Sequence, residues 1–285
     1  MRRILRIDGM AWVMLTGLLC LGAVIVTAIC AENGGAPADS PLARTLDWQA
    51  ALGLSEPWRL WTSAWVHWSA AHLLVNLAGG VVVAFVGWRA RLDTVAAWGW
   101  FAAWPLTQLA MAALGADRVA AVMPHYGGLS GVLHAGVIVL GLSLAWPLAP
   151  ARVRTAAPPA REDAGFVATR ASAIEPSRIT EGPWAMTEMG AITALPASTL
   201  EQPAARPAAA VGEHPLAQRG IGVAIVAGTL VKVLLEAPWH LAPRPSDALG
   251  ISVAPVAHAC GIVAGLLAWR AARFLSRRSR QAARG

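Results

Sequence analysis

Charge is what this sequence has least of. Asp, Glu, Lys and Arg make up 14% of its 285 residues against 56% hydrophobic residues, and the mean hydropathy of +0.52 lies well above that of an average soluble domain. Cysteine is scarce too. Cys20, Cys30 and Cys260 are an odd number without a CxxC pair, which argues against a disulfide framework or a thiolate metal centre. HExxH is absent and no carboxylate stands beside His72 or His258, so the seven histidines do not read as a zinc protease and no metal is expected. A formal net charge of +7 would suggest nucleic acid in a soluble chain, but here the basic residues flank apolar runs, where they serve topology. No nucleic-acid partner is expected. No inverted repeat is evident, which leaves little for a transporter reading. What remains is an all-α polytopic membrane protein.

Six apolar runs follow one another. Met1 to Arg6 carries three arginines ahead of an uncharged run over 9–31, long enough to cross a bilayer at about 1.5 Å per residue and longer than the core of a cleaved signal peptide. Residues 32–69 form a polar and then tryptophan-rich loop that suits a membrane interface. Runs two to four cover 70–88, 94–114 with a kink expected at Pro105, and 127–147. Residues 151–218 are rich in proline and alanine without apolar periodicity and read as a disordered linker. Runs five and six cover 221–235 and 251–269. Three segments result: 1–150 with four helices, the linker 151–218, and 219–285 with two helices and a basic tail.

With the N-terminus inside, every arginine except Arg44, Arg59, Arg118 and Arg244 falls in a cytoplasmic segment. The positive-inside rule therefore puts both termini and the linker in the cytoplasm. Runs two, four and six then all descend from the outer face. Their first turns carry His72 and Asn76, Ser130, and His258, each expected roughly 5–12 Å below the outer surface. Polar side chains in a bilayer are costly and face the bundle interior or a water-filled cavity. Ser130 alone reads as a packing residue, since serine beside glycine is common at membrane helix contacts; four polar side chains in one layer point to chemistry. His72 and Asn76, four apart, share a helix face where both can donate to one oxygen. Gly261 and Gly265 let run six approach the glycine-rich start of run four, as an imidazole reaching Ser130 requires.

These residues resemble the rhomboid intramembrane serine proteases. Trp58-Arg59 resembles the family's Trp-Arg pair in the first outer loop, His72-x-x-x-Asn76 its oxyanion motif, Gly128-Leu129-Ser130-Gly131 its GxSG, and Ala257-His258-x-x-Gly261 its AHxxG. The α/β-hydrolase elbow GxSxG fails at Val132. The Leu129-Ser130-Gly131-x-Leu133-His134 form of the serine motif looks most like the rhombosortase subgroup. The resemblance implies a six-helix bundle in a bacterial inner membrane with its site facing the periplasm. It also implies Ser130 as nucleophile, His258 as general base and acid, His72 and Asn76 as oxyanion donors, and Gly128, Gly131 and Gly261 as supports. No cofactor is implied. The implied partner is a membrane-anchored protein with a C-terminal sorting tail of glycine-rich motif, membrane helix and basic end. A catalytically dead rhomboid-like chaperone or scaffold that binds membrane helices is the reading from another class; the intact Ser130 and His258 speak against it.

With no acid in the motif helices to orient His258, a Ser–His dyad is expected rather than a triad. His134, four residues after Ser130, is a support, a substrate contact or a rival base, and a supporting role is favoured because a base one turn deeper lies farther from outer water. Lys232 and Glu236, one turn apart, either pair or leave Lys232 to snorkel, and snorkelling is the slightly favoured reading. Cys260 lies on the helix face opposite His258. His67, His125, His214 and His240 carry no assigned chemistry.

Overall fold

The computed structural model describes residues 9–32, 40–52, 54–148 and 215–283. The described residues all belong to one compact unit. The linker reading for 151–214, and His214 with it, lies outside the described residues, but its last stretch is helical, because α8 already begins at Pro215. Proline suits a first helical position, where its missing N–H leaves no bond unmade.

Nine α-helices and a two-stranded ribbon make up the described fold. In chain order the helices are α1 (Met10–Glu32), α2 (Pro41–Leu46), α3 (Arg59–Thr62), α4 (Ala70–Arg89), α5 (Thr94–Ala112), α6 (Ala116–Val122), α7 (Ser130–Ala145), α8 (Pro215–Leu235) and α9 (Pro255–Ala282). Strands β1 (Arg244–Ser246) and β2 (Ile251–Val253) pair antiparallel just ahead of α9, so the sixth apolar run starts as a strand and turns helical only at Pro255. α4 and α5 begin on side-chain caps: Ser69 accepts from the His72 N–H and Asp93 from the Ala96 N–H. Pro105 lies within a continuous α5.

Four helices among the described residues are long and apolar enough to cross a membrane, at Met10–Glu32, Ala70–Arg89, Leu216–Leu235 and Pro255–Ala282. Their outward faces stay apolar, as Leu74, Val81 and Phe85 on α4 and Val231 and Leu234 on α8 illustrate. A chain that leaves such faces uncovered is a membrane protein, with lipid as the solvent that makes them cheap.

The shorter apolar helix α7 is the hub, with most of its side chains buried. It packs against α4, α5, α8 and α9. Against α9 the two backbones touch: a Cβ on Gly261 would overlap the Gly131 carbonyl, and one on Gly265 would come 2.6 Å from the Ala135 carbonyl oxygen. The small residues of both helices therefore set their separation. Buried tryptophans lock the other helices by donating indole N–H groups to main-chain carbonyls, Trp12 to Val83 and Trp100 to Val132, at 2.9 and 2.8 Å. Of the loop tryptophans read as interfacial, Trp61 and Trp65 instead turn inward to pack on Trp104 of α5.

Candidate active site

The glycine-rich turn before α7 aims Ser130 at a cavity. Gly128 has φ +132°, a conformation L side chains rarely adopt, and a Cβ there would sit 2.6 Å from the His72 ring. Its role is thus to admit the His72 imidazole against the turn. The turn is held from outside by the paired backbones of Trp48 and Tyr126 and by the Gly128 N–H donating to the Ser63 carbonyl at 3.0 Å. Ser130 opens α7, so its own N–H has no carbonyl one turn behind it.

Ser130, His258, His72 and Asn76 all line one cavity of about 1030 Å³, which His134, Lys232 and Glu236 also reach. His258 Nε2 lies 3.1 Å from Ser130 Oγ, the reach a base needs to take the hydroxyl proton. The other ring nitrogen, Nδ1, lies 2.7 Å from Glu236 Oε2. An acid beside His258 was not expected from the sequence. Glu236 sits just past the end of α8, and the chain between it and His258 doubles back through the β1–β2 ribbon, so no local spacing signals the contact. The Lys232–Glu236 pairing, one of the two readings of that spacing, does form, at 2.6 Å. Burial alone would raise the Glu236 pKa, yet hydrogen bonds from His258 and Lys232 outweigh it and hold the carboxyl down at about 2.

His134 lies beneath the base. Its ring stacks on His258 with centroids 4.2 Å apart and planes 18° off parallel. Its Nδ1 lies 2.7 Å from the Ser130 carbonyl oxygen rather than near Oγ, and its Nε2 meets Lys232 Nζ at 3.0 Å. That geometry serves a brace rather than a rival base.

The oxyanion pair is arranged differently from expectation. Asn76 is buried, and its amide nitrogen is engaged at 3.1 Å with the His72 carbonyl oxygen and at 3.2 Å with His67 Nε2. His67, given no chemistry from the sequence, therefore holds Asn76. Its Nδ1 lies 3.2 Å from the Trp65 carbonyl, so the Nδ1–H tautomer leaves Nε2 free to accept from Asn76. Burial lowers the His67 pKa to about 4, outweighing the Trp65 bond, so the ring is neutral at ordinary pH. Asn76 donates to a new oxygen only by giving up one of these bonds. His72 Nδ1 is buried without a hydrogen-bond partner among the described residues.

Arg59 of the Trp-Arg pair is structural. It donates to Asp47, to the Asp47 and Arg44 carbonyls and to Glu56, closing the outer loop on itself. His125 completes the Asp47 shell at 2.6 Å. Cys260 is a buried free thiol with no disulfide partner among the described residues. Among the described residues no group of His, Cys, Asp and Glu converges as a metal ion would need.

No family model matches the chain, and no curated protein or solved structure matches it either.

Proposed function

We propose that the chain is an intramembrane serine endopeptidase of the rhomboid type, cutting membrane-anchored proteins near the outer face of a bacterial inner membrane. The observation that carries this reading is the 3.1 Å approach of His258 Nε2 to Ser130 Oγ inside a cavity shared with His72 and Asn76. The reading takes six spans with both termini inside: the four helices long and apolar enough to cross a membrane, joined by α5 and the shorter apolar α7. α7, with 16 residues, is about 24 Å long, less than the roughly 30 Å hydrocarbon core, which lets its first residue begin below the surface.

The chemistry follows from the geometry. Ser130 Oγ attacks the scissile carbonyl carbon while its proton passes to His258 Nε2. The tetrahedral intermediate collapses, the C–N bond breaks, and the same proton leaves with the amine. Water then attacks the acyl-serine, giving a proton to His258 Nε2, and as the ester C–O bond breaks that proton returns to Ser130 Oγ, releasing the new carboxyl end. The oxyanion is met by the Ser130 N–H, with His72 and Asn76 as side-chain donors. Substrates with a glycine-rich motif ahead of a membrane helix and a basic end, as rhombosortases take, are the first to try.

The test is cleavage of such a substrate co-reconstituted in liposomes with the wild type, Ser130→Ala or His258→Ala. Two fragments from the wild type alone are expected. Unchanged cleavage by Ser130→Ala overturns the assignment.

A further inference from the structure

We infer that Glu236 is a positioning residue that turns Ser130 and His258 into a Ser–His–Glu triad, with Lys232 and His134 bracing it. The inference rests on the serine endopeptidase reading proposed above.

Glu236 divides its two oxygens between two partners: Oε1 takes Lys232 Nζ at 2.6 Å and Oε2 faces His258 Nδ1 at 2.7 Å. An ionised carboxylate only accepts, so the proton of this bond must reside on His258 Nδ1. That leaves the Nε2 lone pair facing Ser130 Oγ, the one tautomer able to act as base. His134 repeats the logic one layer below. With its proton on Nδ1 it donates to the Ser130 carbonyl and accepts from Lys232 at Nε2, and its stacked ring fixes the plane of His258. One assignment of protons thus satisfies every contact in the cluster, and Lys232 ties both imidazoles to one cation.

The groups facing His258 are Ser130 and His134 from α7, Lys232 and Glu236 from α8 and its end, and His72 from α4. When His258 takes the serine proton, the Glu236 charge favours the imidazolium and the Lys232 charge opposes it. Removing either charge must therefore move the proton affinity of the base in opposite directions, which a merely structural ion pair would not do.

The experiment measures the rate of covalent labelling of the full chain in detergent by a fluorophosphonate from about pH 5 to 9, a readout that requires no known substrate. For Glu236→Gln we expect labelling about 10–10²-fold slower, with the acid limb of the profile moved to lower pH. Lys232→Met should move that limb upward, and Glu236→Asp should recover much of the rate. Ser130→Ala is the control for the enzyme reading itself. If the wild type labels at Ser130 while Glu236→Gln, melting at the wild-type temperature, keeps the wild-type rate and acid limb, Glu236 is only a surface ion-pair partner and the inference falls. A wild type that does not label overturns both readings. If Glu236→Gln does not fold, an upward limb shift in Lys232→Met beside a near-wild-type limb in Glu236→Asp still supports the role, and an unmoved limb in Lys232→Met refutes it.

Discussion

Two polar networks, each built round one carboxylate, differ in how completely they are enclosed. In the outer loop Asp47 is 0% exposed and completely enclosed, with Arg59, Gln49 and His125 on its oxygens. At the head of α7 the carboxylate is Glu236, whose side chain is 28% exposed, and its network ends on Ser130 Oγ at the wall of an open cavity. A saturated network holds its geometry because any movement strands a desolvated charge. One that ends at a cavity keeps a terminal atom free to exchange partners with an incoming molecule. The first builds the loop that holds the Gly128 turn, through Trp48 and Tyr126; the second ends at the cavity where we propose that the chemistry takes place.

The sharpest way to break that comparison is one substitution in each network. Ser130→Ala should reduce fluorophosphonate labelling to background while leaving the melting temperature within a degree or so, and Arg59→Ala should do the reverse, costing about 3–5 kcal/mol because Asp47 is left charged and enclosed. Thermal melts and labelling gels on both variants decide it, and a Ser130→Ala protein that melts early would mean the two networks are one.

Asn76 tests the boundary between them, since it is buried yet faces the cavity. Asn76→Ala is expected to lower kcat about 10²–10³-fold as an oxyanion donor is lost. A kcat within threefold of the wild type would show that its bonds to His67 and the His72 carbonyl are its whole role.

The next effect is one of pH. Because His67 titrates near 6.5 in an unfolded chain and near 4 when buried, the unfolded state binds the extra proton first as pH falls. Stability from this group is complete above about pH 6.5 and declines toward pH 4, by roughly 1–3 kcal/mol. Melting curves at pH 7.5, 5.5 and 4.5 should show that decline, and His67→Gln should flatten it. An equally steep decline in His67→Gln would assign the acid sensitivity to other groups.

The smallest effect belongs to the rim of the outer network. Glu56 meets Arg59 at 2.6 Å but is 32% exposed on its side chain, so Glu56→Gln should cost less than about 1 kcal/mol. A loss comparable to that of Arg59→Ala would extend the saturated network to the surface.

Much of the fold was legible because lipid simplifies the code. The first four apolar runs became helices within a few residues of their expected ends, as in α4 at Ala70–Arg89 and α5 at Thr94–Ala112, whereas α8 starts earlier, at Pro215, and α9 starts later and runs on to Ala282, well past the expected end at 269. The candidate nucleophile and base were legible too, since Gly261 and Gly265 announce a close α7–α9 contact and an imidazole at its mouth must meet whatever opens α7. The short strands ahead of α9 were not: Arg244–Ser246 and Ile251–Val253 are too brief for periodicity to register. His67 read as a loop residue because nothing local links it to Asn76, nine positions on.

By itself, then, the sequence determined the membrane character, the apolar helices, the small-residue seam between α7 and α9 and the residues with chemical capacity, all of them properties of composition and of spacing along one helix. Only the tertiary structure decided which acid orients His258, which ring braces it and which partner holds Asn76. Those are contacts between side chains brought from different helices and loops. Their energy depends on distances of about 3 Å that no spacing within a single element encodes.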